Sequence, residues 1–224
     1  MGEESGKKFL GARLLLAGFA ASAVLVFSLC LLSGAGVPDF VGRELTDAEK
    51  REVIDRNSPL TDYVYLSPNA DFPRTGGIKK ITIHHMAGDL GLEELGKAFG
   101  ERDRRASANY AVDSGGRVAL YVEEENRAWT SSSRENDDQA VTIEVANDET
   151  GGDWHVSGEA YGTLIDLCAD ICERNGIEEL CFTGDAEGNL TVHRMFRSDT
   201  ECPGPYLEGR MGEIAAAVNE RLGK

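Results

Sequence analysis

Between Leu14 and Gly36 the chain runs for 23 residues without a charged side chain, "LLLAGFAASAVLVFSLCLLSGAG". A run this long and apolar does not belong on the surface of a water-soluble domain, and its length matches the hydrocarbon thickness of a bilayer with some tilt. Lys7, Lys8 and Arg13 precede it. Two readings follow. One is an uncleaved anchor over residues 9–36, entered from the cytoplasmic side. The other is an export signal cut near Ser33-Gly34-Ala35. The run exceeds the usual length of a signal's apolar region, which favours the anchor. Cys30 follows Leu29 rather than a small residue, so it is not read as a lipoprotein cysteine. Either way the rest of the chain is expected outside the cytoplasm, divided into a linker with a short helix at 37–60 and one domain at 61–224. In the linker, Thr46 or Asp47 caps the helix and Asn57-Ser58-Pro59 stops it.

Charge narrows the partners. Of 39 acidic and 23 basic residues, two acids and three bases lie before residue 37, leaving 37 acids against 20 bases. Nucleic acid and anionic membrane surfaces select basic patches, so neither is expected to bind the exported part, which is read as a monomer. Four of the five cysteines lie there: Cys168, Cys172, Cys181 and Cys202. Cys168 and Cys172 fall one turn apart on an apolar helical face, poor geometry for bridging each other. They read as buried thiols, with a bridge from one of them to Cys181 as the competitor. A structural zinc on Cys168, Cys172 and Cys181 is the weakest alternative.

From residue 61 strand and helix patterns interleave. "IKKITIHHM" (78–86) reads as a strand. "QAVTIEVAND" (139–148) reads as another, in which Val141, Ile143 and Val145 alternate with Thr142, Glu144 and Ala146. "ANYAVDSGGRVALYVEE" (108–124) reads as two β-runs joined at Asp113-Ser114-Gly115-Gly116. Helices are expected at 91–105, at 159–175 before Gly176, and at the C-terminus, where Leu207, Met211, Ile214, Val218 and Leu222 recur at helical spacing. The fold class is therefore α/β, a central mixed β-sheet flanked by helices.

The chain has four histidines: His84, His85, His155 and His193. Neighbours on a strand face opposite sides, so His84 and His85 do not both join one site, and periodicity does not choose between them. His155 lies among turn residues and reads as surface. "TVHRMFRSDTECPGPYL" (191–207) places His193 nine positions before Cys202, which a Pro-Gly-Pro run follows. Two histidines and a thiolate leave a tetrahedral zinc one position short, the arrangement of a catalytic site. Glu144 reads either as a solvent-facing residue of a half-buried strand or as a general base.

Taken in order, "ITIHHMAG" (81–88), "ASANYAVDSGGRV" (106–118), "AVTIEVAND" (140–148) and the 191–207 segment resemble the zinc N-acetylmuramoyl-L-alanine amidases, bacterial and phage-type enzymes that share a fold with peptidoglycan recognition proteins. The resemblance covers roughly residues 62–222. It implies Zn2+ held by His84, His193 and Cys202 at the floor of a groove, and Glu144 as catalytic base. It also implies Thr200 as an oxyanion donor and Asn109 near the groove as a contact to the peptide stem. The implied function is hydrolysis of the lactyl–L-alanine amide of peptidoglycan, by a protein anchored to the bacterial membrane or released to the wall. A non-catalytic muropeptide-binding module is the alternative, disfavoured because Cys202 is present. Ala108 stands where many relatives have tyrosine, and Thr200 where a lysine is frequent.

Overall fold

The computed structural model describes residues 37–224, which form one compact unit. Among these residues no helix is long and apolar enough to cross a membrane. The anchor-or-signal reading of residues 1–36 lies outside the described residues.

Six strands form the central sheet: β1 (Thr61–Val64), β3 (Lys80–His85), β4 (Tyr110–Val112), β5 (Val118–Leu120), β7 (Ala140–Val145) and β8 (Leu190–Val192). Their order is β1-β5-β4-β7-β3-β8. Every pairing is parallel except β4 with β5, so the sheet is mixed, as the interleaved pattern implied. A second, two-stranded antiparallel sheet joins β2 (Ala70–Asp71) to β6 (Arg127–Ala128).

Both faces of the sheet are covered. Ile81, Ile83, Val141, Ile143 and Val145 belong to the larger core, with Leu164, Leu167 and Ile171 of α4 (Gly158–Asn175) and Ile214 and Val218 of α6 (Met211–Arg221). Each of these fully buried side chains contributes about 1.5–3 kcal/mol. Gly176 ends α4 in the left-handed conformation, φ 68°, where a residue without Cβ carries no steric cost. Ala111, Ala119 and Tyr121 pack on the other face against Leu92, Leu95 and Phe99 of α2 (Leu92–Gly100). A polar layer adjoins this second core. Thr82 lies opposite both Thr142 and Thr191, its hydroxyl is 2.9 Å from that of Thr191, and Asn136 of the short helix α3 (Arg134–Asp137) donates to it at 2.9 Å.

Three expectations are corrected. Residues 37–60 are not a free linker. Helix α1 (Asp47–Asp55) is capped by a Thr46–Glu49 capping box, as the sequence suggested. However, Leu45 and Val53 are buried in the main core, and Gly42 N–H donates to Leu66 C=O at 2.8 Å. The helix expected over 91–105 ends at Gly100, after which Arg102–Arg104 form a 3-10 turn. The C-terminal helix is two helices, α5 (Gly204–Glu208) and α6, parted at Gly209. Among the thiols, Cys168 and Cys172 are free and buried and Cys181 is free and exposed, so no bridge to Cys181 forms.

Candidate metal centre and active site

Three adjacent parallel strands, β7, β3 and β8, end at the same edge. Glu144 and His84 are register partners across β7 and β3. Strand β8 ends at Val192, one residue past its partner Ile83 on β3 is His84, and the next residue on the β8 side is His193. Ligands in open α/β sheets bind beyond the carboxyl ends of the strands, and this edge gathers the residues singled out in the sequence.

The rings of His84 and His193 lie 4.8 Å apart between centroids. Cys202 Sγ is 3.5 Å from His84 Nδ1, and one donor atom from each of His84, His193 and Cys202 falls within 4.8 Å of the other two. Cys202 arrives from a separate turn. The Thr200 hydroxyl accepts its N–H at 3.2 Å, Gly204 N–H closes on Glu201 C=O at 2.7 Å, and His85 N–H donates to the sulfur at 3.4 Å. Gly204 is required in this turn. Its φ is 81°, and a Cβ there would stand 2.8 Å from Trp154 Cβ and 3.2 Å from His85 Nδ1. Periodicity left His84 and His85 undecided. The structure sends His84 to the cluster and sets His85 edge-on against Trp154, 5.1 Å away.

The electrostatics suit a cation. Burial first, and then the neighbouring His193 and His85, hold His84 well below the usual imidazole range. Burial also lowers His193, helped by Arg197. Both rings are therefore neutral near pH 7, the form that ligates metals. Burial, followed by the charge of Glu144, pushes the Cys202 thiol up, so without a cation the sulfur stays protonated. Among the described residues, His84 Nε2, His193 Nε2 and Glu144 Oε2 are buried without a hydrogen-bond partner. Buried polar atoms are ordinarily paired, and three orphans around one thiol fit a site built for a metal ion and a substrate. Burial pushes the Glu144 carboxyl up to about 8, opposed by the positive charge of Arg104.

A cavity of about 250 Å³ opens on this cluster, lined by His84, Glu144, His193, Thr200 and Cys202 together with Trp129 and Thr130. It shares Arg104, Ala106, Trp129, Thr130 and His193 with a neighbouring cavity of about 570 Å³ whose walls also carry Arg105, Arg127, Arg134 and Arg197. The two make one groove. Asn109 does not reach it. Its side chain is fully buried, donating to Val122 C=O at 3.0 Å and accepting from Thr142 N–H at 3.0 Å; a primary amide satisfied inside the sheet has no group left for a peptide stem. His155 is half-buried, 2.7 Å from an Asp148 oxygen and packed on Tyr206, away from the cluster. Sequence reasoning passed over Arg104, and it met Ala128-Trp129-Thr130 only as a departure from phage-type relatives that often read Ala-Trp-His there, without placing Trp129 or Thr130 in the groove.

A family model described as N-acetylmuramoyl-L-alanine amidase matches residues 74–205. No curated protein matches the chain. Several solved structures share the fold. A selenomethionine derivative of AmpD superposes with a TM-score of 0.54 at 17% identity, covering 68% of this chain and 93% of the other. PlyL does so at 0.52 and 20% identity, covering 75% and 91%. The N-acetylmuramoyl-L-alanine amidase LysC from Clostridium intestinale does so at 0.51 and 17% identity, covering 71% and 99%.

Proposed function

The chain belongs to the N-acetylmuramoyl-L-alanine amidase family, and from that premise we propose that it is a zinc-dependent hydrolase of the amide between the lactyl group of N-acetylmuramic acid and L-alanine in peptidoglycan. The observation that carries the reading is the meeting of His84, His193 and Cys202 beside the unpartnered Glu144 carboxylate. Zinc held by the first three would supply Lewis acidity, acidifying a water and polarising the scissile carbonyl. Glu144 takes a proton from the attacking water at Oε2 and delivers it to the leaving L-alanine nitrogen. A carboxyl whose proton affinity lies near neutral pH serves both halves of that transfer. The Thr200 hydroxyl, which lines the same cavity and among the described residues only accepts, keeps its proton to donate to the developing oxyanion. The neutral imidazole of His84 is held by burial, that of His193 stands half-buried beside it, and the His85 N–H steadies the sulfur.

We place this activity outside the cytoplasm, in wall remodelling or lysis, with the domain tethered through residues 9–36 or released. N-terminal sequencing separates a start near Gly36 from an intact anchor. The function itself is tested on purified protein. One zinc per chain and release of L-alanine amino groups from purified walls are expected, and Cys202→Ser should abolish release while leaving circular dichroism unchanged. Wall binding without amine release would instead identify a recognition module.

A further inference from the structure

The two-stranded sheet β2–β6 stands apart from the main sheet and sets Asp71 opposite Arg127. Asp71 lines neither cavity of the groove, yet three side chains that do line it converge on its carboxylate. Oδ2 accepts from Arg127 Nε at 3.0 Å and Nη2 at 2.6 Å, and lies 3.1 Å from Arg134 Nη2. Oδ1 accepts from the Trp129 indole N–H at 2.9 Å. Among the described residues, Asp71 is the only hydrogen-bond or ion-pair partner of each of these three side chains. Trp129 lines both cavities, so it spans the passage from the outer groove to the candidate metal cluster.

We propose that Asp71 is a positioning residue for substrate binding: one carboxylate holds the Trp129 indole and the Arg127 and Arg134 guanidinium groups as a preformed wall. Substrate identity rests on the amidase reading above; the hold on the wall does not. Charge-assisted and bidentate bonds are the strong class of hydrogen bond, and an arginine fork fixes geometry as well as energy. The Arg127 side chain is only 8% exposed, and without Asp71 it would lose its bidentate partner inside the fold, whereas Arg134 is 71% exposed and water screens its share of the hold. The indole, released at its N–H, would sample several rotamers and would have to be ordered again on each binding event. Asp71 touches neither Glu144 nor any of His84, His193 and Cys202, so its loss should weaken binding and spare the chemical step.

The test compares wild type with Asp71→Asn, which keeps an acceptor for the indole and removes the charge, with Asp71→Ala, which removes both, and with Asp71→Glu. On a soluble muropeptide, Asp71→Ala should raise KM about tenfold with kcat within about twofold, the pattern of lost uniform binding. Asp71→Asn should fall between, and Asp71→Glu should restore part of the loss. The chain has only two tryptophans, so a Trp154→Phe background makes Trp129 the sole reporter, and its fluorescence anisotropy should drop in Asp71→Ala. Unchanged KM and anisotropy in a normally melting Asp71→Ala overturn the proposal, as does a fall in kcat at constant KM. Failure of Asp71→Asn to fold would also overturn it, by showing a fold determinant instead. A wild-type protein that neither cleaves nor binds muropeptides overturns the amidase reading, and the anisotropy then decides Asp71's role alone.

Discussion

Two buried polar clusters in this molecule have opposite accounts. In the first, Glu124 accepts from Tyr110 OH at 2.6 Å, from both terminal nitrogens of Arg174 at 2.6 and 3.0 Å, and from Asn175 at 2.8 Å. Beside it Glu123 accepts from Arg56 at 2.9 Å. In the second, at the carboxyl ends of β7, β3 and β8, His84, His193 and Glu144 each bury an atom with no partner. The first cluster spends its hydrogen-bonding capacity inside the fold and ties α1, β4 and α4 together. The second leaves capacity over, held open by the surrounding sheet. Burial alone therefore does not mark a site, nor does a single unmet atom, since the Asn136 and Asn147 amide oxygens are also unpartnered; several unmet atoms gathered beside one thiol do.

The sharpest way to break this contrast is to exchange one charged partner in each cluster. Glu144→Gln should lower the rate of amine release by about 10² to 10⁴, the usual contribution of a positioned base, and should not lower the melting temperature. The opposite pattern is expected in the satisfied cluster. Arg174→Ala strands a carboxylate that is 6% exposed and should destabilise by about 3 kcal/mol, the lower range for breaking a buried pair, while the folded fraction keeps its activity per molecule. Equal stability losses in the two variants would erase the distinction.

A gentler effect sharpens it. In metal-free protein Glu144 holds its proton up to about 8, against an ordinary 4.5 in the unfolded chain. Between those values the fold binds more protons than the unfolded state, so stability is full below about 4.5 and declines as pH rises towards 8. Chemical denaturation of the chelated protein at pH 5 and pH 8 should show this decline as a difference between wild type and Glu144→Gln, because His84 and His193, whose proton affinities burial lowers, add the opposite trend to both. Added zinc should reverse the decline in wild type.

Much of the scaffold was legible from period and punctuation. The β3 and β7 runs, the β4–β5 hairpin and helix α4 fall where alternation, Asp-Ser-Gly-Gly and Asn-Gly put them. What eluded pattern was whatever tertiary packing decides. The 37–60 segment has linker composition, but Leu45 and Val53 find the main core. Strands β2 and β6 are two residues each, too short to carry a period. At the site, the cluster members were visible because histidine and cysteine are rare here, whereas Asn109 was misplaced because an asparagine serves a groove and a sheet interior equally well. Net charge averages over local detail: the chain carries −16 overall, yet five arginines line the larger cavity.

The pairing of His84 with Glu144 across β3 and β7 has a practical consequence. Their separation is set by the ladder spacing of neighbouring strands, about 4.8 Å, and not by any connecting segment. Segments around the groove can therefore be exchanged to retarget specificity while the proton-transfer group keeps its distance from the imidazole beside it. Cys202, delivered by a turn that closes only because Gly204 fits under Trp154, is the member whose placement such grafting would have to protect.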